Sequence, residues 1–213
     1  TTICANSRPN AITVSGYTGS IIKWQYANNA AFTSGVTDIV STAATLTSAV
    51  LGTLSSTRYY RAAIQSGSCS MLYTAPITIT VPSAITYSNG SWNGTPSPTT
   101  PVIIASNFTL TSNLNVCSCQ ISNTVALVVP SNKTLIVQEG ITIATTGSLT
   151  IEDQGSLVQI NDAAVNSGVI TYRRNTVPVK RYDYSYWSSP VNNQNFLAFS
   201  LDTLLDKFYQ FNP

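Results

Sequence analysis

The sequence predicts an all-β chain: an immunoglobulin- or fibronectin-like sandwich followed by a β-solenoid-like or jelly-roll-like domain. Three observations carry that reading. Strand signals recur about every eight to twelve residues, with no sustained helical period. Charged residues make up 8% of the chain against 43% hydrophobic, and Thr, Ser and Asn supply the missing polarity, as suits pleated faces and turns. Gly147-Ser148-Leu149 returns eight residues later as Gly155-Ser156-Leu157, the mark of short strands that stack on one another.

The first unit is expected over residues 1–82. Its candidate strands are Ala11–Ser15, Ile21–Tyr26, Ala44–Val50, Tyr59–Gln65 and Ile77–Val81. Alternation along Ile21–Tyr26 places Ile22, Trp24 and Tyr26 on one face, and Tyr60, Ala62 and Ile64 alternate in the same way. Short strands with a Trp on an early central one fit a sandwich. Trp24 then reads as a core residue rather than a ligand platform, and Tyr59 or Tyr60 as a tyrosine corner.

Residues 83–101 are rich in turn formers: Asn89-Gly90, Asn93-Gly94, Pro96, Pro98 and Pro101. They read as a linker. Trp92 inside it either covers the end of the next domain or offers a stacking face to a sugar. The second unit, residues 102–213, carries apolar doublets at short spacing: Leu127/Val129, Leu135/Val137, Ile141/Ile143, Leu149/Ile151, then Leu157. Such strands cannot bury one face alone and must pile up, which also protects edges that few charges guard. An aromatic block, Tyr182-Asp183-Tyr184-Ser185-Tyr186-Trp187, follows as a cap. The window Leu197 to Phe208 fits a strand at least as well as a helix. The apolar alternation running up to Pro213 reads as that of a segment of a larger protein.

A net charge of +2 and only two basic pairs, Arg173-Arg174 and Lys180-Arg181, give no electrostatic groove for nucleic acid. No apolar run of about 18 residues marks a membrane helix. Of the four cysteines, Cys4 and Cys69 lie near the ends of the first unit, where the first and last strands of a sandwich are neighbours; a Cys4–Cys69 disulfide is expected. Cys117 and Cys119 are either two buried thiols or a local bridge made through a turn at Ser118. No metal site is expected, because the chain has no histidine and its cysteines are split between units. The even cysteine count and low charge point to an oxidising, extracellular setting.

Without histidine, Ser-His-Asp and Cys-His systems are excluded, and no phosphate loop, dinucleotide fingerprint or calcium loop occurs. A polysaccharide-cleaving site would need two convergent carboxylates. The available acids are Glu139, Glu152, Asp153 and Asp162, of which Glu139 and Glu152 are spaced to stack on one face. Each adjoins glycine or a polar turn residue, so solvated corners are the expectation. The chain reads as a non-enzyme with no cofactor. Candidate sugar platforms are Trp92, Tyr184, Tyr186 and Trp187. Asn89, Asn93, Asn107 and Asn132 each head an Asn-x-Ser/Thr triplet.

Gly155-Ser156-Leu157-Val158-Gln159, Asn166-Ser167-Gly168, Tyr172-Arg173-Arg174, the run Tyr182 to Val191 ending Tyr-Trp-Ser-Ser-Pro-Val, and Asp206-Lys207-Phe208-Tyr209-Gln210-Phe211 resemble a module of large surface and secreted proteins of Bacteroidota. Those proteins are cargo of the type IX secretion system. Ile3-Cys4, Gly19 to Gln25, Tyr59-Tyr60-Arg61-Ala62 and Ser66-Gly67-Ser68-Cys69 are similar to the immunoglobulin-like repeats that precede the module. The resemblance implies a structural or adhesive segment at the outer cell surface, in a gliding or surface-adhesion context. It implies partners in the secretion translocon and an outer-membrane shuttle protein, reached through a sorting domain not contained in these residues. Surface glycans are a partner expected from the alternative reading as a carbohydrate-binding module, through Trp92, Tyr184, Tyr186 and Trp187, and not from the resemblance. The resemblance supplies no catalytic residues. Asp202-Thr203-Leu204 fits the O-glycosylation acceptor pattern of that group, with Thr203 as acceptor, and Arg173 and Arg174 are expected to stack on the rings of Tyr182 to Trp187.

Overall fold

The computed structural model describes residues 1–175, Lys180, Asn195, Leu197 and 203–209. The chain divides into two compact units, Thr1–Arg174 and Asn175–Pro213. The first is all-β apart from one short helix and has two parts: an antiparallel part and a β-solenoid-like stack. The division expected at 83–101 falls inside it. In the second unit the described residues include a 3-10 turn at Leu205–Lys207.

The antiparallel part contains β1 (Ile12–Thr13), β2 (Ser20–Ala27), β3 (Thr37–Ile39), β4 (Thr45–Leu46), helix α1 (Ser48–Leu51), β5 (Arg58–Gln65), β6 (Leu72–Tyr73) and β7 (Ile77–Ile79). One sheet runs β3-β2-β5-β6, with β7 also on β5, and β1 pairs with β4. Trp24 is fully buried at its centre among Ile21, Leu46, Leu54, Ala62 and Ile79, and its indole N–H donates to Ala43 O at 2.9 Å.

Three expectations need correction here. The strand expected at Ala44–Val50 keeps only Thr45–Leu46, because Thr47 accepts from the Val50 amide at 3.4 Å and caps α1 instead. Ile22 does not share the face of Trp24: the register slips between Ile21 and Lys23. That bulge turns Ile21 inward and leaves Ile22 44% exposed. Of the two candidates for a tyrosine corner, Tyr60 is buried, yet its hydroxyl finds no hydrogen-bond partner among the described residues, so Tyr60 does not make that corner. Burial raises its pKa.

The solenoid begins before the expected boundary. The stretch read as a linker forms β8 (Ile85–Ser88) and β9 (Ser91–Trp92), followed by β10 (Val102–Ile104). Asn89 and Gly90 both take positive φ, 50° and 82°, which is the two-residue turn that lets a hairpin follow its natural twist. Then come β11 (Phe108–Thr109), β12 (Leu114–Val116), β13 (Cys119–Ile121), β14 (Ala126–Val129), β15 (Thr134–Val137), β16 (Ile141–Ile143), β17 (Ser148–Ile151), β18 (Ser156–Gln159) and β19 (Ile170–Tyr172). They form three parallel sheets: β8-β10-β13-β16, β11-β14-β17-β19 and β12-β15-β18. From β10 to β18 the chain visits the sheets in rotation, one strand in each, so the cross-section there is three-sided. Apart from the antiparallel β8–β9 hairpin the pairings are parallel, which excludes the jelly-roll alternative.

Ala126 pairs with Ser148 and Thr134 with Ser156, so these turns advance 22 residues. The eight-residue repeat is therefore not one rung above another. Gly147-Ser148-Leu149 and Gly155-Ser156-Leu157 open successive faces of the same turn, on β17 and β18. The apolar doublets are the inward pairs of each face, and they stack in register: Leu114 on Leu135 on Leu157, and Phe108 on Leu127 on Leu149 on Ile170. Leu127, Val129, Leu135, Val137, Leu149 and Ile151 are fully buried.

Corners are built from asparagine and glycine. Asn107 and Asn113 accept from the amides of Ala126 and Thr134 one turn on, at 2.9 and 3.0 Å. The glycines of the repeat sit where a carbonyl of the preceding turn presses in: a Cβ on Gly147 would meet Ser122 O at 2.6 Å, and one on Gly155 would meet Val129 O at 2.7 Å. Such contacts can be relieved only by moving backbone. Gly155→Ala should therefore destabilise the protein by about 1–3 kcal/mol, read as a lowered urea midpoint at unchanged slope; an unchanged midpoint would contradict the close stacking.

Candidate functional site

One corner of the solenoid joins the two parts of the first unit. Cys117, Glu139 and Asn161 follow the third-sheet strands β12, β15 and β18 in turn and lie above one another; the Glu139 amide donates to Cys117 O at 2.8 Å and the Asn161 amide to Gln138 O at 3.0 Å. The segment 4–7 of the antiparallel part runs against this stack. Cys4 is disulfide-bonded to Cys117, with Cα atoms 5.4 Å apart and a sequence separation of 113. The Ser7 hydroxyl donates to Glu139 Oε1 at 3.2 Å, and Asn161 Nδ2 donates to Oε2 at 2.6 Å.

The expected Cys4–Cys69 bridge is thus corrected. Cys69 is an exposed free thiol and Cys119 a buried one. Cys117 and Cys119 make no local bridge: Cys117 turns to Cys4 at the corner, while Cys119 faces the core on β13. Burial pushes the Cys119 thiol up to about 12, so almost no thiolate is available at neutral pH.

The two acids weighed as a catalytic pair are placed at different corners. Glu139 sits between β15 and β16 and holds Ser7 and Asn161. Glu152 sits between β17 and β18, where Arg173 reaches it at 2.9 Å. Asp153 lies in the same turn as Glu152, and Asp162 is exposed beyond β18. Among the described residues no three of His, Cys, Asp or Glu gather as metal ligands. Arg174 lies over the Tyr172 ring at 3.9 Å, hydrogen-bonds the Tyr172 hydroxyl, and donates to Glu152 O at 2.9 Å and Gly155 O at 2.7 Å. It clasps a corner of the last full turn. The rings of Tyr182 to Trp187 expected beneath it, including the candidate platforms Tyr184, Tyr186 and Trp187, lie outside the described residues. Thr203 is half-buried just before the turn at Leu205–Lys207.

Trp92 sits at the other end of the stack, half-buried against the solenoid core. Its ring centroid is 5.2 Å from Tyr87 and 5.7 Å from Phe108, near-perpendicular to the latter at 89°, while Tyr87 and Phe108 lie 4.2 Å apart. The three rings border an open groove of about 790 Å³, whose lining also includes Pro96, Thr111, Ser112, Asn113 and Asn115. Sequence reasoning singled out Trp92 but missed Tyr87, Phe108, Asn113 and Asn115. Only the alternation of Ile85, Tyr87 and the NG turn could have signalled a strand there. The four triplet asparagines are turn and corner residues. Asn89 and Asn132 have positive φ, and Asn93 and Asn107 accept backbone amides from Thr86 and Ala126.

Among the described residues no helix is long and apolar enough to cross a membrane. A family model described as Domain of unknown function (DUF8693) matches residues 85–213, and a second, Domain of unknown function (DUF8696), matches residues 1–83. No curated protein and no solved structure matches the chain.

The cysteine assignment makes a direct prediction. Non-reducing peptide mapping should link the Cys4 and Cys117 peptides, with native alkylation confined to Cys69 and Cys119 labelled only after denaturation. Cys4→Ser should lower stability by about 4.7 kcal/mol in the chain-entropy model for so long a loop, measured by denaturant titration. A Cys4–Cys69 peptide would refute the geometry.

Proposed function

The chain belongs to the DUF8693 family across more than half its length, and on that premise we propose that it is a structural and adhesive segment of a large cell-surface or secreted protein. In this reading the protein leaves the cell by type IX secretion. The observation that carries it is the Cys4–Cys117 crosslink, which fastens the antiparallel part to the flank of the solenoid. Disulfides of this kind persist in oxidising compartments, and a covalent joint between two stacked-sheet elements resists mechanical separation. The low charge of the chain and its Thr-, Ser- and Asn-rich surface support the same location.

We read the antiparallel part as an immunoglobulin-like spacer. Its support is the buried Trp24 on a central strand flanked by β3 and β5, and the β1–β4 ribbon that helps cover it. The solenoid is the rigid platform. A non-enzymatic role is supported by the separate corners of Glu139 and Glu152 and by the structural bonds that each already makes. The translocon and an outer-membrane shuttle protein are its proposed partners during export, through a sorting domain elsewhere in the parent protein, and Thr203 is its proposed O-glycosylation acceptor.

Export is testable in the native host. Antibody labelling of intact cells should detect the protein at the surface, and deleting a core component of the type IX translocon should move it to the periplasmic fraction. Surface display that survives the deletion would refute the route.

A further inference from the structure

The groove at the first turn of the solenoid combines features that together define a ligand class. One wall carries three half-buried rings, Tyr87, Trp92 and Phe108, held against one another. The lining also includes Ser97, Thr109, Thr111, Ser112, Asn113 and Asn115, and among the described lining residues none is charged. Its volume of about 790 Å³ falls within the ordinary range of about 300–1,000 Å³ for small-ligand sites.

Asn113 and Asn115 sharpen the picture. Asn113 immediately precedes β12 and Asn115 is its middle residue, and both line the groove. Each has its carbonyl oxygen already engaged with the next turn: Asn113 Oδ1 accepts from the Thr134 amide at 3.0 Å and Asn115 Oδ1 from Gln138 Nε2 at 2.9 Å. Those bonds fix both amide planes. The two –NH2 groups have no partner among the described residues, and both residues border the groove. Donors held in place before a ligand arrives favour binding by reducing its ordering cost.

We propose that this groove binds a neutral oligosaccharide. The apolar faces of its sugar rings lie on Trp92 and Phe108, and its hydroxyl and ring oxygens accept from the Asn113 and Asn115 amides. The uncharged lining disfavours phosphorylated ligands and uronic acids, whose charge would lose water without gaining a counter-ion. Amide donors beside aromatic faces suit a ligand that is apolar on one side and dense in oxygens on the other. This assignment goes beyond the scaffold reading and does not rest on it: a failed export test leaves the groove intact, and a failed binding test leaves the export route intact.

The full chain is titrated with four neutral probes, cellohexaose, xylohexaose, mannohexaose and maltohexaose, and with hexagalacturonate as a charged control. Binding is followed by calorimetry and tryptophan fluorescence. At least one neutral probe should bind with a Kd of about 1 mM or tighter, and hexagalacturonate at least tenfold more weakly. Thr111→Arg places bulk and charge in the groove from an exposed position and should weaken binding about tenfold or more at an unchanged melting temperature. Trp92→Ala should abolish the fluorescence change; should it unfold the protein, Thr111→Arg alone decides. No binding by any neutral probe, equal binding of hexagalacturonate, or affinity unaltered by Thr111→Arg would each overturn the proposal.

Discussion

In-register stacking of parallel strands is the constraint on which the rest depends. Every inward residue of one turn must rest on an inward residue of the next, and every corner must present its backbone to the corner above. With Leu114, Leu135 and Leu157 aligned, as are Val116 and Val137, a single slipped residue would drive a whole face of apolar side chains into water. The corner residues prevent that slip. Asparagine carbonyls accept the amides of the following turn, and glycines admit carbonyls that any Cβ would block. The polar residues thus set the register, while the apolar ones supply the burial that makes the register worth keeping.

The same ladder produces the joint with the antiparallel part. Because Cys117, Glu139 and Asn161 stack at one corner, a single extended segment carrying Cys4 and Ser7 can engage successive turns at once. Glu139 owes its position to this joint, which explains a carboxylate in a chain with only eight acids. The opposite end of the stack behaves differently. There the β8–β9 hairpin closes the first turn with aromatic rings, and β11, which carries Phe108, is an edge strand among the described residues, beside the groove.

Much of this was legible in the sequence. The all-β class, the buried Trp24 and the inward pairs from Leu127 to Ile151 follow from alternation and composition. What failed has identifiable causes. The bulge at Ile22 is invisible to a strict two-residue period. The hairpin at 85–92 is hidden because Ser88, Gly90 and Ser91, with the prolines that follow at 96, 98 and 101, give the stretch the composition of a loop, although Asn89-Gly90 marks its turn. The eight-residue repeat suggests a rung because corners and faces are equally spaced, and only strand pairing shows that three faces make one turn. Cys117 found Cys4 through a meeting of a corner and an N-terminal segment over a hundred residues apart, which spacing arguments confined to one domain cannot reach. Asn113 and Asn115 look like ordinary turn residues until their carbonyl oxygens are seen to be occupied.

The pairing of strands is the measurement that reaches furthest. Nuclear Overhauser contacts in solution should connect backbone protons of Leu127 with Leu149 and of Leu135 with Leu157, in the parallel pattern shown by those strands. Antiparallel contacts between Leu127 and Leu135, or between Leu149 and Leu157, would mean that the eight-residue segments fold back on one another as hairpins, and the stacked architecture would be wrong.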